Sequence, residues 1–235
     1  MKIVEQFETI QGEGKYVGVP SYFIRTTGCN LRCEWPNPDG TTTRCDTPYT
    51  SFNPEKGQDL DIDKVFETLR LSKIEHIVIT GGEPTMQNDL KGAAELFDKR
   101  GYHVTLETNG TKFIKDLPAF MSISPKLSSS YAQTNEREKG LHIRNNNFMD
   151  TIVDYMLHND YQLKFVGNDS KDLEQILDIQ RILHVPKHKI YIMPQGITTE
   201  QFKDREQMLV KFCIEHGFNY SPRLHIDIWG NKRGT

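Results

Sequence analysis

Along this chain, short apolar runs alternate with longer stretches in which apolar residues return every three or four positions. Seven runs have the length and side-chain character of strands: Tyr22–Thr26, His76–Thr80, His103–Glu107, Met121–Ser124, Tyr161–Val166, Ile190–Met193 and Leu224–Ile228. Between them, Ile62, Val65, Phe66 and Leu69 share one helical face behind Asp61, a residue type that caps helix N-termini. Leu90, Ala93, Ala94 and Phe97 form a second such face, with Gly101 placed to end it. Phe148, Ile152, Tyr155 and Met156 form a third, and Leu173, Ile176, Leu177 and Gln180 a fourth. A last helix is predicted over Thr199–His216, stopped by Gly217.

Such alternation predicts an α/β fold with a mostly parallel sheet and right-handed crossovers, forming a single domain over residues 1–235. Periodicity leaves open whether the sheet stays flat or curls toward a barrel. In either case functional groups collect at the C-terminal ends of the strands. The polar and glycine-rich segments fall there: Gly28–Cys29, Gly81–Pro84, Thr108–Gly110, Ser124–Lys126 and Met193–Gly196.

Composition narrows the class. With 36% hydrophobic and 26% charged residues the chain has a globular balance. A net charge of −3 provides no basic field for nucleic acid, and the pair Lys232–Arg233 reads as a solvated tail or as part of a tail that lines a pocket or an interface. The opening MKIVEQFETIQGEGK lacks a signal-peptide pattern, and no run approaches the roughly 18 apolar residues of a membrane helix. The expectation is a cytoplasmic protein without membrane or direct nucleic-acid partners.

Four cysteines without a secretory signal point to thiol chemistry rather than disulfides. Three residues separate Cys29 from Cys33, and eleven separate Cys33 from Cys45. Cys213 sits apart in an apolar helical pattern and reads as a buried side chain. Three thiolates on one segment suit a soft metal centre. Either an iron–sulfur cluster with one open iron or a zinc ion completed by a distant fourth ligand satisfies the spacing. Residues 34–44, with Pro36, Pro38, Asp39 and Gly40, read as an inserted loop. Gly12-x-Gly14 lacks the third glycine of a dinucleotide loop and reads as a turn. Arg25 could hold a carboxylate by two parallel hydrogen bonds or sit in a surface ion pair. His225, alternating with Leu224 and Ile226, is a weak pocket candidate, and no other histidine has ligand spacing.

Longer segments carry a resemblance: TIQGEG at Thr9–Gly14, FIRTTGCNLRC at Phe23–Cys33, CDTPYT at Cys45–Thr50, ITGGEP at Ile79–Pro84, LETNGT at Leu106–Thr111, SPK at Ser124–Lys126 and WGNKRG at Trp229–Gly234. In this order they resemble the radical S-adenosylmethionine superfamily and, within it, the 7-carboxy-7-deazaguanine synthase family. The resemblance implies a partial, incomplete TIM-like barrel and a 4Fe-4S cluster on Cys29, Cys33 and Cys45. It implies S-adenosylmethionine against Gly81, Gly82, Glu83, Ser124, Lys126 and Gln195, and Mg²⁺ on Thr47. It places Gln11, Glu13, Gly14, Arg25, Thr80, Glu107 and Asn109 around a pterin substrate. There a carboxylate suits the paired N–H donors of an aminopyrimidinone, and a glutamine offers both donor and acceptor. The implied reaction is ring contraction of 6-carboxy-5,6,7,8-tetrahydropterin to 7-carboxy-7-deazaguanine with loss of ammonia, in queuosine-type 7-deazapurine biosynthesis. An external one-electron donor and a homodimer are implied with it. The sequence departs from the superfamily at residues 34–44, where two residues usually separate the second and third cysteines. The expectation is an insertion that bulges outward, covers the site or meets a partner, and leaves the ligands intact. Two rivals are a radical activase acting on a partner protein and a zinc-stabilised binding module without catalysis.

Overall fold

Strand-forming runs and capped helices alternate through the computed structural model, which describes residues 1–37, 39–131 and 134–235, with the side chain of Asp204 left aside. The strands are β1 (Lys2–Ile10), β2 (Pro20–Thr26), β3 (Glu34–Pro36), β4 (Thr42–Arg44), β5 (Gln58–Asp59), β6 (His76–Gly81), β7 (His103–Thr108), β8 (Phe120–Ile123), β9 (Tyr161–Gly167), β10 (Ile190–Pro194) and β11 (Asn219–Tyr220). The helices are α1 (Pro48–Ser51), α2 (Ile62–Leu71), α3 (Leu90–Lys99), α4 (Glu136–Asn145), α5 (Met149–His158), α6 (Ser170–Leu183), α7 (Thr199–His216) and α8 (Leu224–Trp229). Local chemistry explains their ends. The Asp61 carboxylate accepts from Lys64 N to open α2, and Asp169 does the same for Lys171 and Asp172 at α6. Gly217 ends α7 in the left-handed conformation.

Nine strands form one sheet in the order β11-β10-β9-β8-β7-β6-β2-β1-β5. Every pairing from β2 through β11 is parallel, while β1 pairs antiparallel with β2 and β5. The two edge strands do not pair with each other, so the sheet is an incomplete barrel and not a closed one. Alternate residues such as Ile24, Ile77, Ile79, Leu106, Leu163 and Ile192 point toward the helices α2, α3, α5, α6 and α7. They form one continuous core there with Val65, Phe97, Ile152, Ile176 and Leu209. No helix among the described residues is long and apolar enough to cross a membrane.

Two expectations need correcting. Leu224–Ile228 is not a strand but helix α8, and the last strand is Asn219–Tyr220. Only Arg223 and Ile226 are buried across this segment, three residues apart as a helix requires, while Ile228 stands exposed; the apparent alternation carried no buried face. Residues 34–44 are not a loop but a β-hairpin, β3 against β4, that draws Trp35 inward onto Leu31 and Cys33. Pro38 lies outside the described residues. Four further elements, β1, β5, α1 and α4, fall outside the elements read from the pattern. β1 is half-buried on both faces because one faces the cavity described next, and α4 buries only His142.

Candidate active site

The C-terminal ends of the parallel strands open into a cavity of about 560 Å³. Its walls include Cys29, Cys33, Cys45, Thr47, Gln11, Glu13, Arg25, Thr80, Gly81, Gly82, Glu107, Asn109, Ser124 and Lys126, so most of the expected site residues meet there. Gly14, Glu83 and Gln195 lie behind the lining.

The hairpin explains how three cysteines so unevenly spaced come together. Glu34 pairs with Arg44, and Cys45 N then donates to Cys33 O at 3.0 Å, so the inserted residues return the chain to its point of departure. The three cysteines pack with Leu31, Trp35 and Val166 in a small apolar cluster. Burial pushes the Cys29 thiol up to about 12 and raises Cys33 and Cys45 as well, so thiolates there require a bound cation. Among the described residues no three His, Cys, Asp or Glu side chains close on a single ion. Three soft donors in an apolar setting, with no fourth protein ligand among the described residues, fit an iron–sulfur cluster with an open iron better than a closed structural zinc site. The loop is braced from outside. Asn30 meets Asn109, Thr111 and Asn145, and the Arg32 guanidinium donates to the carbonyls of Cys29 and Leu31. His142 of α4 sets its Nδ1 2.8 Å from the Arg32 carbonyl oxygen; burial lowers this histidine to about 4, keeping it neutral.

After β6 the backbone runs directly against the cysteine loop. Gly82 N donates to Thr26 O and Glu83 N to Gly28 O. A Cβ on Gly82 would stand 2.1 Å from Gly28 O, so only glycine permits this contact. The Glu83 carboxylate is fully buried. It accepts from Thr85 N and Oγ1, Thr108 Oγ1 and Asn109 N, and so ties β6 to the end of β7. Asn109 lines the cavity with its amide taken up by Asn30 and Thr111. Ser124 and Lys126 bond to one another at 2.7 Å on the cavity wall. Gln195 carries a buried amide oxygen without a hydrogen-bond partner among the described residues.

The opposite wall is a chain of ionic and polar contacts. Glu13 meets Lys164 Nζ at 2.5 Å and Arg223 Nε at 2.9 Å. Arg223 reaches on to Asp46 at 2.5 Å and donates to Gly196 O. Glu107 accepts from Gln11 Nε2 at 3.1 Å and Thr80 Oγ1 at 2.8 Å, with Lys164 3.6 Å away. Burial opposes charge on Glu13, but Lys164 and Arg223 beside it hold its carboxyl well below the usual carboxylate range. A Cβ on Gly12 would lie 2.1 Å from His225 Nδ1, so the absence of a side chain lets the imidazole pack on this turn. His225 thus lines the cavity, although it does so from helix α8 and not from the alternating strand that made it a candidate in the sequence.

Phe7 and Phe23 stack with centroids 5.4 Å apart beside Arg25, whose Nε donates to Glu5 at 2.5 Å. The C-terminal residues 231–235 complete the rim. Arg233 holds them through Glu5, a two-point contact with Glu55 and the face of Tyr49. Sequence reading missed Phe7, Asp46, Tyr49, Lys164 and Arg223 as site residues. A lysine at the centre of the apolar run YQLKFV was the one available signal, since such a charge is buried only with partners.

Comparison with known proteins agrees with this geometry. The sequence model of the Radical SAM superfamily matches residues 23–127. A 7-carboxy-7-deazaguanine synthase of Rhodopirellula baltica is 35% identical over 99% of this chain and 88% of its own length. One from Halobacterium salinarum is 34% identical over 100% of this chain and 93% of its own. The crystal structure of QueE from Escherichia coli shares the fold, with a TM-score of 0.68, 24% identity and coverage of 95% of this chain and 94% of that one.

Proposed function

The chain belongs to the 7-carboxy-7-deazaguanine synthase family of radical S-adenosylmethionine enzymes, and on that premise we propose that it contracts 6-carboxy-5,6,7,8-tetrahydropterin to 7-carboxy-7-deazaguanine with loss of ammonia. The observation that carries this reading is one cavity with three apolar-set thiols on one wall and the Gln11–Glu107–Glu13 acceptor set on the other. Cys29, Cys33 and Cys45 would hold the 4Fe-4S cluster. The backbone of Gly81 and Gly82, with Ser124, Lys126 and Gln195, would hold S-adenosylmethionine, and Thr47 would supply a hydroxyl to Mg²⁺. Bound together, cluster and S-adenosylmethionine supply a carbon-centred radical able to take a hydrogen atom from the substrate.

The chain's own residues bind, orient and exclude water. Glu13, kept ionised by its two cations, accepts the N–H donors of an aminopyrimidinone edge, while Gln11 offers an amide beside it. The stacked Phe7 and Phe23 offer an aromatic flank to a planar ring. Arg25, with one of its five N–H donors committed to Glu5, can present others to a substrate carboxylate. Leu31, Trp35 and Val166 keep the thiol side dry, where a reactive radical must not meet water or stray hydrogen donors. Glu83 serves this site from behind, by fixing the strand ends. The reading includes an external one-electron donor, a homodimer and a cytoplasmic setting, without membrane or nucleic-acid partners.

The test is anaerobic reconstitution with iron and sulfide, followed by incubation with the pterin, S-adenosylmethionine and Mg²⁺. Formation of 7-carboxy-7-deazaguanine supports the proposal, and a loaded enzyme yielding no deazaguanine rejects it. Metal analysis of the same sample separates the cluster from zinc: Cys29→Ala should lose iron while Cys213→Ala retains it.

A further inference from the structure

We propose that Lys164 makes the recognition wall select a neutral N–H donor edge and reject a cationic one. It does so as a positioning residue that acts through Glu13 and Glu107. The inference rests on the pterin reading above and extends it from what binds to how a near-identical ligand is refused.

Lys164 sits in the middle of β9, in a strand otherwise given to the core, with a side chain only 5% exposed. A lysine in that position is stable only with its partners in place. It is shared between two carboxylates, at 2.5 Å from Glu13 Oε2 and 3.6 Å from Glu107 Oε1. The other partners of Glu107 are neutral: Gln11 and Thr80. The other cation on Glu13, Arg223, is itself shared with Asp46. Glu13 is therefore faced from β9 by Lys164, which it shares with Glu107 of β7. Arg223 and His225 face it from the segment around α8, and Asp46 from the cysteine loop. Burial disfavours the imidazolium form of His225, so the positive charge next to Glu13 comes from Lys164 and Arg223.

A carboxylate offers about four lone-pair sites, and two on Glu13 are occupied by these cations. The remaining sites can accept neutral N–H donors. An arriving cation would gain little there, because Lys164 and Arg223 already offset the charges of Glu13 and Glu107 at short range in a buried wall. Without Lys164, Glu107 would keep only neutral partners, and Glu13 only a cation it shares. The wall would then attract a cation, or take up a proton and become a donor where an acceptor is needed.

The test is equilibrium dialysis of the anaerobically reconstituted full chain against two stable ligands. One is pterin-6-carboxylate, whose aminopyrimidinone edge is neutral. The other is 2,4-diaminopteridine-6-carboxylate, whose ring becomes cationic as pH falls. Wild type should bind the pterin with little change between pH 8 and pH 5, and should bind the diamino ligand progressively less as its ring protonates. Lys164→Gln should bind the pterin in a pH-dependent manner, falling about tenfold per unit once a carboxyl protonates, and should favour the protonated diamino ligand. Lys164→Arg should keep the wild-type pattern, which a merely space-filling role would not predict. Wild type binding the protonated diamino ligand as tightly as the pterin would overturn the proposal. So would a Lys164→Gln protein with wild-type preference and a flat profile. If Lys164→Gln does not fold, the wild-type comparison of the two ligands decides alone. Failure of both ligands to bind wild type would remove the pterin reading itself, and the proposal with it.

Discussion

Replacing Arg223 by methionine should destabilise the protein more than any surface ion pair could. The guanidinium is 7% exposed and serves three acceptors lying in different directions: Glu13, Asp46 and the Gly196 carbonyl. Asp46 is 37% exposed and can recover water when its partner is gone. Glu13, only 11% exposed, cannot do so fully and keeps Lys164 alone. Breaking one side of a buried ion pair costs about 3–5 kcal/mol. For a chain of this size each kcal/mol corresponds to roughly 2–4 °C in Tm. The expected fall is therefore on the order of 6–20 °C, measured by thermal unfolding monitored by circular dichroism at pH 7 and moderate salt. Lysine at the same position keeps the charge but not the fork, and should fall between methionine and wild type. If the uncompensated Glu13 charge is the main cost, Glu13→Gln in the methionine background should recover more than about 1 kcal/mol relative to additivity. A methionine variant within about 1 kcal/mol of wild type, or a strictly additive double variant, would refute this account of the network.

Three further outcomes follow from the same geometry. Glu13 has a folded-state carboxyl below its unfolded value of 4.5, so its stabilisation is complete above that pH and is lost progressively as pH falls from there through the folded-state value. The stability gap between wild type and Glu13→Gln, from urea unfolding, should accordingly shrink by about 1.4 kcal/mol between pH 7 and pH 3.5, and a constant gap would contradict this. Gly12→Ala must displace the His225 ring, at about 1–3 kcal/mol of strain, and should raise the pterin KM more than it lowers kcat; an unchanged KM would mean that His225 does not shape the pocket. Arg233→Ala should change stability by less than about 1 kcal/mol, because the guanidinium and Glu55 are half-exposed and the more buried Glu5 keeps Arg25 and Tyr49, yet should speed trimming of residues 231–235 by carboxypeptidase. Equal trimming rates would show that Arg233 does not hold the tail.

The fold was legible where one face of an element is uniformly buried. Parallel strands such as Ile190–Pro194 and helices such as Leu90–Lys99 carry runs or stripes that periodicity detects directly. It was illegible where burial and function share a face. β1 sends Phe7 and Thr9 to the cavity, so its alternation is diluted by groups meant for a ligand. The last strand consists of two residues, which no pattern can announce, and the tidy alternation of Leu224–Ile228 belonged instead to a short helix with one buried hydrophobic residue.

The site divides along the same physical line. That Cys29, Cys33 and Cys45 belong together could be read because three thiols on one short segment are a restricted residue type kept close in sequence, and the hairpin at 34–44 shows why the longer interval still brings them to one cavity wall. The partners of Lys164 and Arg223 could not be read: a lysine inside YQLKFV announces a buried charge, but its partner lies 151 positions away and that of Arg223 210, and sequence spacing carries no trace of such a pairing. The consequence reaches beyond assignment. Glu13 is paired with residues from the far half of the chain, so under the proposed function the QGEG turn is ready for its ligand only once β9 and the segment before α8 are in place. On that reading recognition is a property of the closed tertiary structure and not of the QGEG motif by itself.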